Sequence, residues 1–337
     1  MSGENKGIVR DQPQEIPSEG GPLAEFRGAV PPAPEWFRKA VATPYETGSV
    51  MVKNAKVTFQ RWGRRGAPGL LLVHGNGAHA HWWDFIAPYF AEDYNVAAIT
   101  FAGMGDSDYR ESYNMATFAE EEVAVAEAAG LFEGPTKPII VAHSFGGFVT
   151  LVTGAKYGDR FDGMVIVDSP VNPPERPHRG PDRKGRPNRI YPDLAAALSR
   201  FRLAPPQLCE NLYAVDYIAR WSLKKADEGG WTWKFDPMIW THFDPGRDPG
   251  EMLRAARCRV AIIRGENSSL MPDDVREYMR KLLGYQVPFI SIPHADHHVM
   301  LDQPIAFIAA LRTLLAEWSH SDPHRTVTEA ALPPSQE

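Results

Sequence analysis

A continuous apolar run, Ile139-Ile140-Val141-Ala142, ends at His143-Ser144-Phe145-Gly146-Gly147, so that a serine sits between small residues two positions to either side. This pattern predicts a buried strand that stops at a sharp turn and passes at once into a helix. Only residues as small as Ala142 and Gly146 fit where such a strand and helix nearly collide. The turn holds the Ser144 hydroxyl out at the strand's carboxyl end. A helix starting at Phe145 also points its unpaired N–H groups and positive dipole end towards that hydroxyl, where an oxyanion would form. Taken alone, the string equally suits a strand-to-helix turn with a serine cap, so its surroundings decide.

With 337 residues, 43% of them hydrophobic and 11% aromatic, the chain can bury a large core. Its length suits two domains, or one domain with a large insertion. A formal net charge of −6 argues against a general nucleic-acid binder. No apolar run is long enough to span a bilayer, so no integral membrane association is expected. The start, Met1-Ser2-Gly3-Glu4-Asn5-Lys6, lacks the apolar stretch of a signal peptide, and the two cysteines, Cys209 and Cys258, make no disulfide framework. The expected compartment is the cytoplasm. Nothing in the residue pattern fixes an oligomeric state.

Residues 1–34 are polar and rich in Pro, Gly and Glu, which predicts a flexible N-terminal arm, docked later through Trp36 and Phe37. Apolar-polar alternation over 50–62 reads as a hairpin around Asn54-Ala55. Buried strands are expected over 69–73, 96–100, 139–142, 164–167, 260–263 and 289–292, with helix-period segments over 82–89, 115–129, 145–156, 272–283 and 304–318. Strands buried on both faces and alternating with helices predict an α/β fold with a mostly parallel central sheet flanked by helices, after an antiparallel start. The alternation breaks at 171–251, which reads as a helical cap inserted after the sixth strand and laid over the sheet's carboxyl edge, where ligands bind in open α/β sheets. The core is then 35–170 with 252–318, and 319–337 is a flexible C-terminal tail.

His74-Gly75-Asn76-Gly77 after one strand, Gly103-Met104-Gly105-Asp106-Ser107 after the next, the turn at Ser144, and His297 followed by Asp302-Gln303-Pro304 together resemble the α/β-hydrolase fold superfamily, in its serine-nucleophile, esterase-like branch. The resemblance spans roughly residues 50–318 and implies a catalytic triad with Ser144 as nucleophile and His297 as general base. His294 and His298 are rivals for the base, and Asp302 reads as a helix N-cap. It also implies an oxyanion hole made by the N–H groups of Asn76 and Phe145, with His74 orienting the loop. The pattern departs from most relatives at the acid. Three residues after Gly265, where they carry an aspartate, this chain has Ser268. Asp168, at the end of the 164–167 strand and 24 residues after Ser144, is the favoured carboxylate; that placement resembles haloalkane dehalogenases and pancreatic-type lipases. Glu266 is the next choice and Asp273 a distant third.

Gly75, Gly77, Trp83, His143, Trp231, Trp233 and His298 are the expected substrate-binding residues. The aromatic density around Trp82, Trp83, Trp231, Trp233, Phe235, Trp240 and Phe243 favours an apolar or aromatic small-molecule substrate. The basic stretch Arg176, Arg179, Arg183, Lys184, Arg186 and Arg189 reads as a solvated, mobile loop rather than an anion clamp. Serine rather than aspartate at position 144 argues against dehalogenase and epoxide-hydrolase chemistry. What remains is a serine hydrolase cleaving a small to medium ester through an acyl-enzyme, with no cofactor and no metal. A lactonase, an amidase, a C–C bond hydrolase suggested by Ser-Phe-Gly-Gly, and a non-enzymic ligand receptor are the alternatives. The C–C reading is weakened because His297-His298 lacks the aromatic residue those enzymes place after the histidine.

Overall fold

Eight segments join into one sheet in the computed structural model, which describes residues 20–176 and 185–320. They are β1 (Glu46–Val52), β2 (Ala55–Trp62), β3 (Gly69–Val73), β4 (Asn95–Thr100), β5 (Ile139–His143), β6 (Gly163–Val167), β7 (Arg259–Gly265) and β8 (Phe289–Ile292). Their order is β1-β2-β4-β3-β5-β6-β7-β8, antiparallel through β1, β2 and β4 and parallel from there on. The hairpin closes Val52 on Ala55, with Lys53 at φ 51°, one residue earlier than the sequence suggested.

The helices are α1 (Glu35–Val41), α2 (Met115–Ala128), α3 (Phe145–Tyr157), α4 (Leu194–Leu198), α5 (Leu212–Trp221), α6 (Pro249–Arg254), α7 (Asp273–Leu283), α8 (Val299–Asp302) and α9 (Pro304–His320). The two-residue period of the strands divides the core. On β3, Leu70 and Leu72 pack in one cluster with Phe90, Phe307 and Leu311, while Leu71 and Val73 face Phe118, Val149 and Val275 on the other side. Both faces are therefore dry, which is why β3 to β6 read as unbroken apolar runs. Among the described residues, no helix is long and apolar enough to cross a membrane.

Three expectations need correction. The helix expected over 82–89 is instead two short 3-10 turns, Ala80–Trp83 and Ala87–Tyr89. Pro88 cannot share a helix with the carbonyl of Asp84, and Trp83, Phe85, Ile86 and Ala87 are all buried, leaving no polar helix face. Of the arm, residues 20–34 are not free: Leu23 is 2% exposed, the Gly21 N–H donates to Ser199 O, and Arg220 of α5 donates to Gly28 O. Residues 1–19 and 321–337 lie outside the described residues, and 319–320 continue α9. The inserted segment is mixed rather than helical. Besides α4 and α5 it holds the two-stranded ladder Leu223–Lys225 with Trp231–Trp233, and Phe243–Asp244 pairs with Tyr113–Asn114. Its last residues, from Pro249, already form α6, whose Met252 and Leu253 pack in the core cluster of α3 and α7.

Two adjacent carboxyls of α2 are sealed into this core. Glu122 is wholly buried and accepts hydroxyl protons from Thr150 (2.7 Å) and Thr153 (2.5 Å) of α3. Burial pushes its carboxyl up to about 8, and burial likewise pushes Glu121, paired with Arg110, up to about 7. The folded chain thus keeps protons that the unfolded chain releases near the ordinary value of 4.5. Stability conferred by the neutral forms is complete below that value and declines as pH rises towards the folded values. Glu122→Gln is therefore expected to flatten the fall of Tm between about pH 5 and pH 8, leaving the Glu121 part. An undiminished fall in thermal melts across that range would contradict this account.

Candidate active site

The carboxyl ends of β5, β6 and β7 lie side by side, and each delivers one part of a hydrogen-bonded chain. Ser144 follows β5 directly with φ 53° and ψ −118°, a left-handed turn between strand and α3. Its N–H stays in the ladder, donating to Val167 O (2.9 Å), and its carbonyl accepts from Ser169 Oγ (2.8 Å). Gly146 permits this, because a Cβ there would stand 2.5 Å from the His74 carbonyl oxygen. Asp168 repeats the move one strand over, with φ 48° and its N–H on Ile263 O.

His297, on the loop after β8, bridges the two. Its Nε2 lies 2.9 Å from Ser144 Oγ and its Nδ1 2.9 Å from Asp168 Oδ1. A carboxylate only accepts, so Nδ1 carries the proton and Nε2 is left to accept from the serine hydroxyl. Asp168 is 0% and His297 2% exposed, so the chain runs through a dry interior. Asp168 is further fixed by Ser268 Oγ–H on Oδ1 (2.6 Å) and Gly265 N–H on Oδ2 (2.7 Å). Ser268 thus occupies the place of the missing carboxylate as a donor to the one that replaces it. Its position was flagged by the sequence, but its role was not.

The rivals are elsewhere. Glu266 is exposed and accepts the His294 N–H (3.1 Å). His294 is also exposed, and Asp273 pairs with Arg276 at the start of α7. Asp302 does not cap a helix. It ends α8, and its Oδ2 accepts the Asp296 N–H (2.8 Å) while both oxygens accept from Gln207 Nε2 (2.9 and 2.8 Å). Burial pushes its carboxyl up to about 6. Gln207 completes a bridge by accepting the His298 N–H on Oε1 (3.0 Å), tying the inserted segment to the loop that carries His297. No spacing in the sequence announced this residue.

His74 donates Nδ1–H to Gly75 O (2.7 Å) and accepts the Phe101 N–H on Nε2 (3.1 Å). Burial lowers it to about 4, so it is a neutral brace for the loop. That loop brings Gly75 close to Ser144, where a Cβ would lie 3.2 Å from Ser144 Cβ. Among the described residues, the N–H groups of Asn76 and Phe145 have no intramolecular acceptor, leaving both available to an oxyanion. His143 donates Nε2–H to His297 O (3.0 Å) and is held neutral by burial. It supports the His297 loop.

A cavity of about 310 Å³ is lined among others by Asn76, Gly77, Trp82, Trp233, Trp240 and His298, the neighbour of His297. Of the expected substrate-binding residues, Gly77, Trp233 and His298 line this cavity. Trp83 and Trp231 do not: Trp83 is fully buried against Phe307, and Trp231 lies in the outer ladder under Lys225. Their partners in the Trp-x pattern, Trp82 and Trp233, line the cavity instead. Arg179, Arg183 and Lys184 of the basic stretch lie outside the described residues, while Arg176 pairs with Asp274. One ring nitrogen from each of His143, His297 and His298 lies within 4.8 Å of the others, near enough to share a cation. Both His297 nitrogens and His143 Nε2 are already hydrogen-bonded, so a cation would have to break the chain to Ser144 or Asp168.

The chain as a whole resembles known hydrolases. The model of the "Alpha/beta hydrolase family" matches residues 70–311. An esterase of Mycobacterium tuberculosis, Rv0045c, is 24% identical over 271 residues, covering 78% of this chain and 88% of that protein. Its crystal structure superimposes with a TM-score of 0.64 at 22% identity, covering 87% of this chain and 95% of the other. The thioesterase domain from the curacin biosynthetic pathway aligns with a TM-score of 0.65 at 21% identity, over 81% of this chain and all of that domain.

The two candidate acids can be separated by the reactivity of Ser144. Asp168→Asn is expected to slow its labelling by a fluorophosphonate probe by about two to four orders of magnitude, with circular dichroism unchanged. Glu266→Gln should label within about twofold of the parent rate, as its carboxylate meets only a backbone N–H. The reverse ranking would transfer the acid role to Glu266.

Proposed function

The chain belongs to the alpha/beta hydrolase family, and from that premise we propose that it is a serine hydrolase of carboxylic esters, working through an acyl-enzyme on Ser144. The observation that carries the reading is the unbroken chain from Ser144 Oγ through His297 to Asp168, with 2.9 Å at both junctions. Relatedness to an esterase supports the ester class.

In this mechanism Ser144 Oγ attacks the ester carbonyl carbon as His297 Nε2 takes the hydroxyl proton. Asp168 holds the imidazole in the Nδ1–H tautomer and stabilises the imidazolium without taking its proton. The carbonyl π pair moves onto oxygen, where the Asn76 and Phe145 N–H groups meet the negative charge. Collapse breaks the bond to the alkoxy group, which leaves with the proton from His297. Water then repeats the sequence against the acyl-enzyme, giving the acid and restoring Ser144. No cofactor enters any step. A carboxylate nucleophile would be needed for epoxide or haloalkane opening, and position 144 offers a hydroxyl.

The inserted segment acts as a cap in this reading. It supplies Phe201, Leu203, Trp233, Phe235, Ile239 and Trp240 to the cavity wall. A cavity of about 310 Å³ with such a wall suits a small to medium ester with an apolar or aromatic body.

With a 4-nitrophenyl ester of a short acid, the first turnover should release one equivalent of nitrophenol per protein in a burst, followed by a slower steady rate. Ser144→Ala should remove the burst and lower kcat by about a thousandfold or more. Undiminished turnover in that variant would refute the proposal.

A further inference from the structure

The inserted segment meets the chain that follows His297 through the stretch between α4 and α5. Residues 204–211 alternate exposed and half-buried, with the odd-numbered side chains on the covered side. That side faces α8. Gln207 Nε2 donates to both carboxylate oxygens of Asp302 (2.9 and 2.8 Å), Cys209 Sγ lies 3.8 Å from Leu301 O, and Asn211 Nδ2 donates to the carbonyls of Leu301 (2.8 Å) and Asp302 (3.1 Å). Gln207 differs from the other two in a second hold: its Oε1 accepts the His298 N–H (3.0 Å).

The backbone N–H groups of both neighbours of His297 therefore end on one pair of side chains. Asp296 N–H donates to Asp302 Oδ2 (2.8 Å), and His298 N–H donates to Gln207, which Asp302 holds in turn. The His297 carbonyl is held separately by His143 Nε2–H (3.0 Å). The Gln207 amide has one workable orientation, because a carboxylate only accepts: Nε2 must face Asp302, which leaves Oε1 for the His298 N–H. Of these holds, Gln207 is the one supplied by the inserted segment. The ring they carry has to stay 2.9 Å from Ser144 Oγ and 2.9 Å from Asp168 Oδ1 at once. Misplacing a reacting group by about 1 Å can cost about a hundredfold in rate.

We propose that Gln207 is a positioning residue for His297: by fixing the His298 N–H against Asp302 it keeps the imidazole in line with Ser144 and Asp168, so that the reactivity of Ser144 depends on a side chain of the inserted segment. The proposal rests on the reading of His297 as the general base. Gln207 itself acts only through Asp302 and the His298 backbone. Asn211 provides a control within the same stretch, since it gives two hydrogen bonds to the carbonyls of Leu301 and Asp302 and none to a residue beside His297.

The test compares the parent protein with Gln207→Met, which keeps the side-chain length but offers the two partners neither an N–H nor an oxygen, and with Asn211→Ala. Two quantities are read in each: the rate at which Ser144 is labelled by a fluorophosphonate probe, and the low-field proton resonance of His297 Nδ1–H, assigned by its absence in His297→Gln. Gln207→Met is expected to slow labelling by about ten- to hundredfold and to shift or broaden the resonance. Asn211→Ala should label within about twofold of the parent rate with the resonance unmoved. Melting curves establish that each variant folds, and Gln207→Asn, too short to span both partners, takes the place of the methionine variant if that one does not. Any other combination of the two readouts overturns the proposal, including slower labelling with an unmoved resonance, which would put the effect elsewhere than on His297. If the parent itself is not labelled, the hydrolase reading fails, and the resonance alone then decides whether Gln207 holds the ring.

Discussion

Two left-handed backbone turns, at Ser144 and Asp168, carry the rest of this structure. Each sits at the carboxyl end of a buried parallel strand, and each keeps its N–H in the ladder before the chain swings away. Holding a non-glycine residue there costs about 1–3 kcal/mol, so the surrounding packing must over-determine it. It does so with a buried strand on either side and with small residues at the crossing. The result is that a hydroxyl and a carboxylate from adjacent strands face one imidazole at fixed distance, with no long side chain needed to reach.

Drawing the carboxylate from β6 rather than β7 rearranges the neighbourhood. The β7 loop no longer has to present an acid, and Ser268 and the Gly265 N–H instead become donors to Asp168. Together with His297 they give this buried carboxylate three donors, which offsets the cost of removing its charge from water. On the other side, Gln207 links the inserted segment to the His297 loop through Asp302 and the His298 N–H. The inserted segment is therefore hydrogen-bonded to the loop that carries His297.

The strands and most helices were legible because the core imposes simple periods on them. β3 to β6 are buried on both faces and show as continuous apolar runs. The positions of Ser144, His297 and Asp168, which hydrogen bonds join into one chain, were legible for a related reason: each follows a strand or the last strand's loop, where chain order maps onto the sheet edge. Legibility failed where contacts are distant in sequence. Nothing local distinguishes Trp82, in the cavity wall, from Trp83, in the core; the difference comes from Phe307 and His298 on the far side of the chain. Gln207 and the pairing of Trp231–Trp233 with Leu223–Lys225 depend on tertiary docking that no period encodes. Over 82–89 the apolar content suggested a helix, but burial on every side and Pro88 ruled it out.

The central claim, that Ser144 carries the acyl group between two half-reactions, is most directly tested by rapid acid quench during turnover of an aryl ester, followed by peptide mass mapping. The account predicts an added mass equal to the acyl group on the peptide bearing Ser144 and nowhere else. An acyl group found on another side chain, or turnover with no covalent species at any quench time under conditions that slow deacylation, would contradict it.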